Sequence, residues 1–348
     1  MNEYQMPNSP GGWGQNSPFP PQVPYWETPE WKCKKQIRHV SNVMGWSCFA
    51  VQVLMLALSF LSTQILLMIG YPFNRNLLNS GGMSSEMYYL LVSVVYIISV
   101  AGPFLLCVAF MKLPLAETFP FEKVGFSTSV LFVLFGVGAC MLSNIPGNIV
   151  AIILEEMGFN ATLPESVPTD SVFSTILCII EIAVIPPLVE ELAFRGVILS
   201  QLRKYGKGFA VFGSALLFAF YHGNFIQFTF TFIVGLLLGF IMVQTNNLWI
   251  TIVIHALNNG LSLFFDMISD VVSSEVYDML NNFLFFGLIL LGIFSLVVLM
   301  LRKREYFQRR YEPMLLSASA RVSAFVFNPG FIAFLVAFLG SSLESLIG

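Results

Sequence analysis

Six ionisable side chains stand inside long apolar stretches of this chain: Glu181, Glu190, Glu191, Arg195, His222 and His255. A charge in hydrocarbon is costly unless it is paired, so such groups default to functional candidates. Glu191 and Arg195 are four residues apart, which puts them on one helical face where an ion pair forms. Glu190 points about 100° away from Glu191 and is left to face whatever cavity the helix borders. Phe218 and His222 share a face in the same way, and so do His255 and Asn259. An aromatic ring can therefore wall a site beside one imidazole. Glu190, His222 and His255 could form a His₂Glu ligand set with an open position, a known zinc-hydrolase pattern. Together with Glu181 they could also form a proton relay of the kind transporters use. Taken alone, a membrane histidine is more often a helix–helix hydrogen bond, and Glu181 is expected only to mark the outer edge of its span. The third histidine, His39, stands beside Arg38 and reads as interfacial.

These groups must be positioned by membrane helices. The 348 residues are 56% hydrophobic and 11% charged, with a mean hydropathy of +0.76. Soluble proteins carry about 25% charged residues, so a soluble enzyme, a secreted scaffold and a nucleic-acid binder are all excluded. Five cysteines are scattered singly and suggest neither a disulfide framework nor a CxxC site. The fold class expected is all-α: a polytopic bundle of about eight transmembrane helices around a polar cavity. Apolar runs near 43–69, 88–111, 127–153, 172–202, 208–225, 226–245, 248–266 and 280–301 approach the length a bilayer demands. Residues 1–40 read as a Pro-rich cytoplasmic tail, disordered at least to about residue 31, which could hold a partner-binding motif. Residues 41–305 form the bundle, and 306–348 a cytoplasmic or interfacial segment whose apolar run 322–339 could also dock on it. In this arrangement 15 of the 17 basic residues lie on one side, from Lys32 to Arg38, at Lys112 and Lys123, from Arg203 to Lys207, and from Arg302 to Arg321. The positive-inside bias then places both termini in the cytoplasm, with a bacterial plasma membrane expected from the general look of the chain. Measured from Arg203 and Lys207, Glu190 and His222 lie roughly 20 Å deep, and His255 lies about 12 Å past Asn247. Three separate spans thus bring their polar groups to similar depths. Pro186 and Pro187 should kink the first of them and free carbonyls that polar groups must satisfy.

At these positions the chain resembles a known family. Glu190-Glu191-Leu192-Ala193-Phe194-Arg195 matches EExxxR, Phe218 to His222 matches FxxxH, and His255 to Asn259 matches HxxxN. In that order they are the signature of the CPBP intramembrane proteases, which include CAAX prenyl endopeptidases and bacteriocin-processing and immunity proteins. The resemblance covers about residues 170–265. It implies Glu190 as general base on a water with His222 sharing that work, Glu191 and Arg195 holding the site in shape, and His255 and Asn259 facing the oxyanion. Phe218 would wall the pocket. A peptide or prenylated protein is the implied substrate, with membrane lipid around it. HExxH is absent, and the reading leans towards no metal, with zinc on Glu190, His222 and His255 as the alternative. A non-catalytic scaffold or immunity protein is a second possibility, and a proton-coupled transporter a third. No internal repeat favours the transporter.

Overall fold

The computed structural model describes residues 24–71, 83–159, 169–269, 271–308 and 313–347. Most of the Pro-rich tail lies outside them. Apolar side chains in runs of 20 or more residues, with backbone groups that hydrocarbon cannot solvate, leave the helix as the only economical fold. The long elements are α1 (Pro29–Met68), α2 (Ser85–Phe110), α3 (Phe126–Glu156), α4 (Val172–Arg203), α5 (Lys207–Tyr221), α6 (Phe225–Thr245), α7 (Leu248–Ser269), α8 (Ser274–Arg302), α9 (Ala318–Val326) and α10 (Pro329–Ile347). Among the described residues there is no strand, and eight helices are long and apolar enough to cross a membrane. The protein is a polytopic all-α bundle.

The eight are not the same eight the hydropathy runs suggested. α5 has 15 residues and is about 22 Å long, short of a full crossing. It stops at Tyr221, Gly223 takes φ +69°, and the Asn224 side chain accepts from the Gln227 amide (2.8 Å) to start α6. α5 and α6 therefore form a hairpin that turns at the depth of His222. The eighth apolar helix is α10 instead.

Two contacts fix the end of the bundle where the basic residues lie. Asn246 adopts the left-handed conformation that Asn tolerates best after Gly, closing α6. Its side chain accepts from Arg203 Nη1 (2.6 Å) and donates to Glu122 Oε1 (2.6 Å), joining the ends of α4 and α6 to the loop before α3. Arg321 Nη1 donates to the Tyr205 carbonyl (2.6 Å) and brings α9 to the same end. From there α10 runs inward along α1. Asn328 Nδ2 donates to Ser41 Oγ (2.8 Å), and Phe338 reaches the α5–α6 turn, 4.7 Å from the Phe220 ring. The C-terminal apolar run is thus docked on the bundle.

Glycines set the closest helix contacts, because lipid offers no hydrophobic drive and association rests on fit. Gly45 of α1 faces the Gly330 backbone of α10, and Gly138 of α3 faces Gly292 of α8. A Cβ added at Gly292 would stand 2.9 Å from Gly138 Cα and 3.3 Å from the Leu134 carbonyl, both immovable backbone. On the same helix a Cβ at Gly287 would meet nothing. Gly292→Ala is expected to destabilise the protein by about 1–3 kcal/mol. Gly287→Ala should leave it unchanged or slightly stabilised. Thermal unfolding of the two variants in one detergent checks the contrast, and equal melting would mean that α3 and α8 do not pack this closely.

Candidate active site

α4 carries the centre of the site and is irregular there. Ser171 opens it with a capping box to Ser174. Two π-helical segments, Ile180–Val184 and Leu192–Ile198, interrupt the α geometry on either side of Ile185–Glu191. Such wide turns recur at functional sites because they re-aim side chains. The prolines explain the first of them. Pro186 would be the α-helical partner of the Ile182 carbonyl and Pro187 its π-helical partner, and neither has an N–H to give. Asn259 Nδ2 of α7 supplies the missing donor (3.1 Å). One of its two N–H groups is committed to the backbone of α4, and the second is left for the cavity that Asn259 also lines.

Further along α4, Glu191 is fully buried and its Oε1 accepts twice. Arg195 Nη1 donates from 2.8 Å and His255 Nδ1 from 3.0 Å. The guanidinium, also fully buried, lies over the Phe218 ring with Cζ 4.3 Å from its centroid. Phe218 stands edge-on to both imidazoles, 4.8 Å from His222 and 5.9 Å from His255. The ring is a wall of the cavity and also a support for three charged or titratable neighbours.

The hydrogen bonds assign the tautomers. A carboxylate and a carbonyl only accept, so His255 Nδ1 carries a proton towards Glu191, and His222 Nδ1 carries one towards the Phe218 carbonyl (2.9 Å). In the neutral form both rings then present a bare Nε2. His255 Nε2 lies 3.7 Å from Glu190 Oε2. That oxygen is buried and has no hydrogen-bond partner among the described residues. The other oxygen, Oε1, accepts from the Tyr96 hydroxyl of α2, which in turn accepts from Tyr221 (2.8 Å).

Glu190, Phe218, His222, His255 and Asn259 all border one cavity of about 650 Å³. Glu191 and Arg195 lie behind its wall. All seven side chains singled out by spacing meet here. Tyr96 was not foreseen, since a lone hydroxyl on an apolar helix gives no periodic signal. Tyr221 adjoins His222 in the FxxxH stretch and Asn258 adjoins Asn259, so both were within reach of closer reading. Asn258 lines the cavity, and its buried Oδ1 has no hydrogen-bond partner among the described residues. Glu181, expected at the edge of its span, lies half-buried on the cavity wall.

A zinc site does not assemble from these residues as they stand. Among the described residues no three His, Cys, Asp or Glu side chains are placed to hold one metal ion.

Residues 172–261 match the model of the family described as Type II CAAX prenyl endopeptidase Rce1-like. The match spans α4 to α7, where all three motifs lie, and supports the resemblance drawn from them. No curated protein and no solved structure matches the chain.

Breaking the buried ion pair leaves a charge with too few partners, which costs about 3–5 kcal/mol. Arg195→Met and Glu191→Gln are each expected to lower thermal stability by that order. The double variant Glu191→Gln/Arg195→Met should be less destabilised than the sum of its singles. Strict additivity in a double-mutant cycle would show that the two side chains do not interact.

Proposed function

We propose that the protein is an intramembrane endopeptidase in which Glu190 activates the attacking water. The observation that carries this reading is the Glu190 carboxylate itself. One oxygen is anchored by Tyr96, and the other is buried, has no hydrogen-bond partner among the described residues and lies 3.7 Å from an imidazole nitrogen, on a residue that borders a polar cavity. An anchored carboxylate with a free acceptor is what a general base needs, because its geometry is set before substrate arrives.

The reaction is peptide hydrolysis. A water held between Glu190 and His222 Nε2 gives one proton to Glu190 as its oxygen bonds to the scissile carbonyl carbon. The carbonyl π electrons move onto oxygen and form a tetrahedral oxyanion. The free Asn259 N–H donates to it, as does a protonated His255 Nε2, whose ring is held through Nδ1 by the Glu191 carboxylate. The arrangement has the logic of a carboxylate-backed histidine. Collapse of the oxyanion breaks the C–N bond, and the proton held by Glu190 passes to the leaving amine. One water is consumed and two peptide ends result. Each well-placed donor to such an oxyanion contributes about 3–4 kcal/mol.

The substrate on this reading is a membrane-associated peptide or protein. It enters a cavity of about 650 Å³, room enough for a few residues around the scissile bond. Peptide cleavage by the detergent-purified protein tests the mechanism. Glu190→Gln should lose activity by about 10²–10⁴-fold while melting like the wild type. Tyr96→Phe should lower kcat by about 10–100-fold with little change in KM, since the hydroxyl positions the base and does not touch substrate. Undiminished turnover by Glu190→Gln would remove the mechanism.

A further inference from the structure

The direction in which the cavity opens follows from which residues line it. On α7 the lining begins at His255 and continues through Asn258 and Ser262 to Asp266. On α4 it runs from Glu190 back to Glu181, on α3 it begins at Asn144, and on α2 it includes Tyr88. Every one of these positions lies between the level of the motif residues and the helix ends at Ser85, Glu156, Val172 and Ser269. None lies towards Phe110, Phe126, Arg203 or Leu248, the ends clamped together by Arg203, Asn246 and Glu122. From His255 to Asp266 is eleven residues, so the passage is about 16 Å long. The floor is the site, and the mouth is on the face away from the basic residues.

That face has a distinct charge. Among the described residues the charges at those helix ends are acidic: Glu86, Glu155, Glu156, Asp170, Glu275 and Asp278. The cavity wall continues the pattern, with Glu181, Asp266 and Glu190 and no Lys or Arg among its lining residues. Two further groups point to what the cavity receives. Glu190 and Asn258, each only 4% exposed, line the cavity, and Glu190 Oε2 and Asn258 Oδ1 lack hydrogen-bond partners among the described residues. Both are acceptors. These two atoms ask for N–H donors, and the acidic side chains of the wall for positive charge. In a cleft with apolar sides such a field is focused rather than screened.

The basic face is the cytoplasmic one by the positive-inside bias. We propose that the cavity opens on the non-cytoplasmic side of the membrane and receives peptide segments carrying Lys or Arg, a substrate class that rests on the endopeptidase reading above. A backbone N–H of the segment would meet Asn258 Oδ1, and its cationic side chain would lie along Glu181 and Asp266.

Thiol labelling tests access and charge without any cleavage. Ser262→Cys, on the exposed part of the wall, is placed in a Cys33→Ser background whose other cysteines are buried. Lys123→Cys in the same background reports the basic face. In sealed membranes an impermeant maleimide should label Ser262→Cys from the non-cytoplasmic side alone and Lys123→Cys from inverted vesicles alone. The reverse pattern overturns the proposal. Asn148→Cys repeats the reading from the opposite wall should Ser262→Cys misfold. A cationic methanethiosulfonate should then outpace its anionic counterpart at Ser262→Cys by at least tenfold more than at Lys123→Cys. Glu181→Gln should cut that ratio several-fold, and a ratio equal to the control overturns the charge preference. Finally, peptides with Lys or Arg beside the scissile bond should be cleaved at least tenfold more efficiently than Glu counterparts. Correct labelling with no cleavage of any peptide would defeat the endopeptidase reading while leaving the mouth and its charge in place.

Discussion

A single carboxylate oxygen holds the site together. Glu191 Oε1 accepts from Arg195 within its own helix and from His255 across to α7, in a place with no access to solvent. Neither charge could stay there alone, since an unpaired ion in a medium this apolar is far costlier than the pair. The requirement that both charges stay paired fixes the rotation of α4 against α7. Once that rotation is set, Glu190 must turn about 100° away, into the cavity. The guanidinium lies over Phe218, which brings α5 into register and sets both imidazoles against the same ring.

The irregularity of α4 belongs to the same design. Two prolines strip the Ile182 carbonyl of its helical partner, and an amide from α7 replaces it. Asn259 is therefore a tie between helices before it is anything else. The tie and the Glu191–His255 bond lie about one helical turn apart along α7 and join it to α4 at two heights. A site whose parts come from four helices needs such cross-links, because side chains on separate helices otherwise drift with the packing. Tyr221 and Tyr96 extend the network to α2 and reach Glu190 from the side opposite His255.

Outside the site the bundle is held by fit. Bare helix faces meet at Gly45 and Gly330 and at Gly138 and Gly292, where backbones approach too closely for any side chain. At the basic end Asn246 bridges Arg203 and Glu122 beside a second pocket that reaches Arg195, whereas the cavity bordered by Glu190 extends towards the opposite end.

Much of this was legible before any helix was placed. Apolar runs fix membrane spans because hydrocarbon admits few backbone solutions, and the i,i+4 pairs fix which motif residues share a face because helical pitch is a local property. Depth could be counted from the basic residues, and Pro186 and Pro187 announced carbonyls in need of donors. What the sequence did not determine is everything that depends on how helices rotate against each other. Hydropathy made 208–225 a span, whereas α5 ends early at Tyr221 and the eighth apolar helix is α10, docked on α1 by glycine contact. Tyr96 entered the site from a helix with no motif, and Asn258 turned a second acceptor to the cavity beside the expected Asn259. Glu181 moved from a span's edge to the cavity wall. The sequence by itself determined which residues are polar, how deep they lie and which neighbours share a face, because those follow from one helix at a time. Only the tertiary structure decided which of them touch and towards which face the cavity opens, because both are set by packing between helices distant in the chain.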